Sequence, residues 1–276
     1  MGDQPNAPGA PRKPLPIIQI DGGRRGADGP TKTANIEMRI GRQPVRLAIT
    51  VPADPVPVDE VLPVFQQVTN VVVDAAVADE AEDGRHVSCR KGCAACCHQL
   101  VPVSVTEAHA IKRLVDRMSE PRQSQVRARF ARAAATFAQS GITAYLRRRR
   151  DDKYSPPQGL AQSYFDIACP FLEDDTCSIH ADRPLACREY LVTTPAENCS
   201  NPSAESVRLV LLPASPRRAL RAAEMKTPHE GTSWVPLVGA LDWAKANPEQ
   251  MCPRTGPTLL EEFFAHLTRR LEGEAQ

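Results

Sequence analysis

Two short runs of alternating apolar and polar residues begin the patterned part of the chain. Ile36, Met38 and Ile40 alternate with polar neighbours, and Val45, Leu47, Ile49 and Val51 repeat the pattern after Gly41-Arg42-Gln43-Pro44. A period of two, with turn residues between the runs, predicts a β-hairpin with one buried face. The period then changes to that of a helix. Val61, Leu62, Phe65, Val68, Val72 and Ala76 predict a long helix from Asp59 to about Asp83, with Asp59 capping its start. Pro63 falls near the first turn, where a missing N–H is tolerated, and the helix gives out near Gly84.

Further along, Ser104-Val105-Thr106-Glu107 reads as a capping box, in which Glu107 reaches back to the Ser104 amide. Ile111, Leu114, Val115 and Met118 follow as the stripe of a helix ending near Pro121. A second helix, rich in Ala and Arg, is predicted from Pro121 to Gly141 and should bury Val126, Phe130, Ala134 and Phe137. A short helix leads into Arg147-Arg148-Arg149-Arg150, and residues 151–159 read as a linker. Ser206 to Leu212 has the content of a strand, and helices are predicted near Pro216–Lys226, Val235–Ala246 and Pro257–Leu271. Trp234 and Trp243 read as core anchors for them. The fold class is α+β, mainly helical: an N-terminal hairpin, a helical body and a cysteine-rich loop region. Four stretches are expected: a leader over 1–30, hairpin plus long helix over 31–84, a cysteine domain over 85–200, and a C-terminal strand and helices over 201–276.

Composition adds limits. A hydrophobic content of 42% in 276 residues supports a real core, and a formal charge of +1 gives no global pull toward nucleic acid or anionic lipid. The Arg147–Arg150 run has no interleaved aromatics and reads as a solvated helix end, so a nucleic-acid partner is not expected. Residues Met1 to Asn6 show no basic region leading into an apolar one, and no run approaches the roughly 18 apolar residues of a membrane span. The expectation is a cytoplasmic protein with no membrane partner, in which thiols stay reduced.

The cysteines carry the chemistry. Cys89, Cys93, Cys96 and Cys97 fall within nine residues, and Cys169, Cys177, Cys187 and Cys199 follow in turn-rich settings. These eight read as the ligands of a thiolate-bound metal centre. Cys93-x-x-Cys96 has the spacing of a knuckle. Cys96 and Cys97 are adjacent, and neighbouring side chains diverge in helix and strand alike. Such a pair favours two centres, or one polynuclear centre, over a single zinc. Eight thiols match two four-thiolate zinc sites by count, and equally one or two four-iron clusters. Arg90, Lys91, Arg183 and Arg188 could offset the negative charge, with Arg183 and Arg188 donating hydrogen bonds to sulfur as an outer layer of the site. His98 and His180 lie beside cysteines and read as ligands or hydrogen-bond partners. His86, His109, His229 and His266 read as surface or core residues, and Cys252, before Pro253, as structural. Cys89-x3-Cys93-x2-Cys96 also has radical-SAM spacing, but Ala95 stands where that family has an aromatic residue, and the strand–helix repeats of its barrel are missing.

Cys-x3-Cys-x2-Cys-Cys, Cys-Pro-Phe-Leu, Cys-x-Ile-His and Arg-Pro-x-x-Cys-Arg, in this order over residues 89–200, resemble the YkgJ-type cysteine cluster family. That family is found chiefly in bacteria and carries a zinc- or iron-chelating CxxCxxCC domain. The resemblance implies Cys89, Cys93, Cys96, Cys97, Cys169, Cys177, Cys187 and Cys199 as its ligands. His180 stands where relatives often have an aromatic residue. The flagellin lysine methylases are similar in this domain, which implies N-methyl transfer among distant relatives, although nothing in residues 1–88 or 200–276 reads as a flagellin site. The leading expectation is a metal-binding protein whose centre is an iron–sulfur cluster, of the four-iron type, or zinc, with iron–sulfur ahead. A zinc-stabilised module for a protein partner and an S-adenosylmethionine-dependent enzyme are the alternatives.

Overall fold

The computed structural model describes residues 16–22, 29–140, 167–224, 234–248 and 253–268. The predicted helix before Arg147, the arginine run, the linker over 151–159, His229 and Cys252 lie outside them.

Alternation and turn chemistry build the hairpin where they predict it. β2 (Thr31–Ile40) and β3 (Gln43–Pro52) pair antiparallel, with Ile40 opposite Gln43 and Thr31 opposite Pro52. Gly41 turns the corner at φ 60°, a conformation that suits a residue without Cβ. Leu47, Ile49 and Val51 are buried beneath the sheet. A strand that alternation did not reveal, β1 (Ile17–Asp21), pairs parallel to β3, so the sheet runs β1-β3-β2 and the predicted leader over 1–30 contains an ordered strand. The physical reason is brevity: only Ile20 is buried, while Ile17 and Ile18 remain exposed.

α1 (Val58–Glu82) lies against this sheet and buries Val61, Leu62, Val64, Phe65, Val68, Val71 and Val72. It is long and apolar enough to cross a membrane by composition, and its buried face is accounted for by packing on the sheet and on α7 (Gly256–Leu267). Asp59 does not cap it. The cap is Pro57, without a side-chain hydrogen bond, and Asp59 sits in the first turn, paired with Arg113 at 2.6 Å. The helix ends before Gly84, whose φ is 74°.

α2 (Val105–Asp116) starts with the predicted box: the Glu107 amide donates to Ser104 Oγ at 3.1 Å, and the Ser104 amide donates to Glu107 Oε2 at 2.8 Å. α3 (Arg122–Gln139) buries Val126, Phe130, Ala133 and Phe137, so the apolar stripe runs through Ala133 where Ala134 was expected. With Val103, Ala108, Ile111, Val115, Phe171, Ile179, Val235, Leu237 and Ala240, Val126 and Phe130 make a second core, separate from the one under the sheet. A short ladder supports it, β5 (Pro102–Val103) with β8 (Val235–Pro236), while β4 (Pro55–Val56) pairs β9 (Arg254–Thr255).

The predicted strand over 206–212 is reduced to a bridge between Val192 and Leu209. Among the described residues its backbone pairs with one stretch, the chain at 191–193, and Leu211 is 86% exposed; strand content without a second strand partner leaves it irregular. α5 (Pro216–Glu224), α6 (Ala240–Ala246) and α7 complete an α+β, mainly helical fold. Trp243 packs against the second core, with His109 edge-on to it at 5.4 Å.

Glu224, the last residue of α5, is buried and accepts from the Thr106 amide at 3.2 Å. Burial pushes its pKa up to about 7, so the folded state favours the protonated acid. Its stabilising contribution is complete below the ordinary value near 4.5 and is lost as pH rises to about 7. Glu224→Gln is therefore expected to remove up to roughly 3 kcal/mol of pH-dependent stability over that window. Urea unfolding of both proteins at pH 5 and pH 8 checks this: the wild type should lose stability relative to the variant at the higher pH.

Candidate metal centre

Chain geometry brings the eight candidate thiols together from separate segments. After α1 ends, the Ser88 amide donates to the Val192 carbonyl at 2.9 Å, which ties Cys89 to the chain that follows Cys187. A turn at Lys91-Gly92, with Gly92 at φ 86°, reverses the backbone, and the Cys93 amide donates to the Arg90 carbonyl at 3.0 Å. Residues Ala95–His98 then form a 3-10 turn holding Cys96 and Cys97.

The second group folds onto this turn. The Cys169 amide donates to the Cys97 carbonyl at 2.7 Å. A tight hairpin, β6 (Leu172–Glu173) and β7 (Thr176–Cys177), returns the chain through Asp174 and Asp175, both at positive φ. It carries Cys177 back toward Cys169, and both pack against the second core beside Phe171, whose ring is edge-on to Phe130 at 5.2 Å. Cys187 is on α4 (Leu185–Glu189). Cys199 lies in the 3-10 turn Ala196–Ser200, which packs on the turn bearing Cys96 and Cys97. Gln99 joins the two, its Nε2 donating to the Cys199 carbonyl at 2.8 Å and to the Tyr190 hydroxyl at 3.1 Å.

Cys96 is the electrostatic meeting point. Cys89, Cys97, Cys169, Cys177, Cys187 and Cys199 all lie close enough to feel charge on it. Around it the thiols fall into two neighbourhoods: Cys199 senses Cys89 and Cys93, whereas Cys97 and Cys187 sense Cys169 and Cys177. A hydrogen bond between the Cys96 and Cys97 thiols lowers the pKa of Cys96, with nearby Arg183 in support, and raises that of Cys97. Burial drives Cys169 up to about 12 and Cys199 to about 11, and raises Cys89, Cys177 and Cys187. Burial disfavours the thiolate at Cys89, Cys169, Cys177, Cys187 and Cys199, and a bound cation would displace their protons.

Among the described residues, no three His, Cys, Asp or Glu side chains form a ready-made group for one metal ion, so closure on an ion requires side-chain movement. The donor set fits a thiophilic ion by its chemistry. A second observation agrees. Arg183 Nε is buried without a hydrogen-bond partner among the described residues, and Arg183 lies near Cys89, Cys96 and Cys177; a metal-bound sulfur would supply the acceptor it lacks. Arg188 is engaged elsewhere: Nε donates to the Arg183 carbonyl at 2.9 Å, Nη1 to Asn70 Oδ1 at 3.0 Å and Nη2 to the Ala181 carbonyl at 2.5 Å. It staples the loop before α4 to α1. His180 is disfavoured as a cation by burial and by Arg183, Arg188 and Lys91. Gln99 and Asn70 carried no signal in the sequence, because their roles depend on partners roughly 100 residues away.

The fold sets a cysteine-rich segment between the helices of an α+β protein. Residues 88–205 match the CxxCxxCC family model, whose description reads "Putative zinc- or iron-chelating domain". No curated protein and no solved structure matches the chain.

Proposed function

We propose that Cys89, Cys93, Cys96, Cys97, Cys169, Cys177, Cys187 and Cys199 are the ligands of a thiolate-bound centre, iron–sulfur ahead of zinc, in a cytoplasmic protein. The observation that carries the reading is the convergence of thiols from distant segments on Cys96. Their division into two neighbourhoods supports two centres or one polynuclear centre. Zinc would act as a structural ion there, and an iron–sulfur cluster would add electron transfer. The chain's own contribution is to gather the thiols, to offer Arg183 as a sulfur hydrogen-bond donor, and to keep the Cys169–Cys177 hairpin against an apolar core.

A second reading, a zinc-stabilised interaction module, draws on one feature. Leu209 and Leu211 are exposed side by side on the segment that follows the cysteine domain, 49% and 86% respectively. The S-adenosylmethionine reading gains no such support, since the largest sheet among the described residues has three strands.

Metal analysis and visible absorption of protein purified without oxygen or affinity metal separate these readings. Brown protein with iron and acid-labile sulfide is the expected result. Colourless protein with about two zinc ions per chain, as two four-thiolate sites would hold, favours the module. Protein with neither metal overturns both.

A further inference from the structure

The helix that carries Cys187 is only five residues long, and its cap, Pro184, offers no side chain to the free amides at its start. The missing acceptor comes from another helix. Glu107 Oε1 accepts from the Leu185 amide at 2.7 Å while Oε2 of the same carboxylate accepts from the Ser104 amide at 2.8 Å, so one side chain closes the starts of α2 and α4 together. The last residue of α4 repeats the device. Glu189 Oε1 accepts from the Arg217 amide in the first turn of α5 at 2.6 Å, and its Oε2 accepts from Ser215 Oγ at 2.8 Å and Arg217 Nε at 3.0 Å. The last residue of α5 then returns to the beginning, where Glu224 Oε1 accepts from the Thr106 amide in the first turn of α2 at 3.2 Å.

We propose that Glu107, Glu189 and Glu224 form a closed ring of glutamate caps, α2 to α4 to α5 and back to α2, that positions Cys187. This rests on the reading of Cys187 as a metal ligand, and it adds that α5, which lies beyond the family match at residue 205, is a working part of the centre. Glu107 and Glu224 are buried, and Glu189 keeps a side-chain exposure of 6%. Buried acceptors of this kind exchange little with water, so each bond fixes a helix start rather than decorating a surface. Glu107 also faces Arg188, the residue next to Cys187, which is pinned by Arg183, Ala181 and Asn70. Cys187 therefore sits on a helix held at its first amide by α2, at its last side chain by α5, and at Arg188 by α1.

The ring is tested through Cys187 rather than through total metal. Glu107→Gln keeps the size of the side chain but leaves one acceptor oxygen for two amides. Glu224→Ala removes the bond farthest from Cys187, and Glu224→Gln restores an acceptor there. On the full chain as purified, iodoacetamide alkylation is followed cysteine by cysteine with mass spectrometry. The expected result is several-fold faster alkylation at Cys187 in Glu107→Gln and in Glu224→Ala, with Cys93 unchanged, and a return toward the wild-type rate in Glu224→Gln. A wild-type rate at Cys187 in both Glu107→Gln and Glu224→Ala overturns the ring. So does an equal rise at all eight cysteines, which would mark general loosening. Metal analysis of the same wild-type sample reports separately on the ligand reading, since metal-free protein would sink that reading while leaving the alkylation pattern to judge the ring.

Discussion

Replacing Cys96 with Ser is expected to lower the metal bound per chain, and replacing Cys97 with Ser is expected to do the same. The two side chains leave the 3-10 turn Ala95–His98 side by side, Cys96 among all the other sensing thiols and Cys97 toward Cys169 and Cys177. The sequence expectation that adjacent side chains diverge is not met here: the two thiols share a hydrogen bond, so their sulfurs are close enough for a polynuclear centre to use both. With two four-thiolate sites, each change should cost about one of two ions. With a polynuclear cluster, each should lower iron and sulfide together. Metal content of the two purified variants measures this directly. Full occupancy in both would remove the argument that both thiols of the adjacent pair are ligands.

Phe65→Ala is expected to be the most damaging single change outside the thiols, at about 3–5 kcal/mol of unfolding free energy. Phe65 is 1% exposed in the first third of α1, and its ring stacks on Phe263 at 4.3 Å with 20° between the planes. Truncation opens a cavity where the sheet, α1 and α7 meet, and the rigid sheet beneath cannot collapse to fill it. Leu211→Ala is the control: at 86% exposure it should stay within about 0.5 kcal/mol of wild type. Chemical denaturation followed by far-UV circular dichroism compares them, and a Phe65→Ala midpoint no lower than that of Leu211→Ala would show that this contact does not hold the core.

The sequence was most legible where one face of an element carries its own pattern. β2, β3, α1, α2 and α3 stand where periodicity and capping chemistry put them, because their apolar stripes and the Ser104–Glu107 box are local properties. β1 was not legible, since a five-residue edge strand with one buried side chain has no period to detect. The segment over 206–212 misled for the opposite reason: Val207, Leu209 and Leu211 have strand content, but a strand also needs strand neighbours, and among the described residues its backbone pairs with the chain at 191–193 alone. At the candidate centre, cysteine spacing picked out the candidate thiols, and the family resemblance picked out the Arg-Pro and Cys-Arg pairs. It could not divide the work of Arg183 and Arg188, because that depends on which guanidinium finds backbone carbonyls first. Nor could a capping box reveal that the second oxygen of Glu107 closes a helix 78 residues away.

The second core has a consequence for what counts as one unit of this protein. Its apolar side chains come from α2, α3 and the cysteine hairpin, and also from Val235, Leu237 and Ala240, which lie past the end of the CxxCxxCC match. Leu185, inside the match, belongs instead to the core built by the N-terminal sheet and α1. The stretch that recurs among relatives and the stretch that folds therefore have different borders. Excised at 88 and 205, the cysteine segment would keep all eight candidate ligands but lose part of two hydrophobic interiors, a recognisable text without the binding that keeps its pages in order.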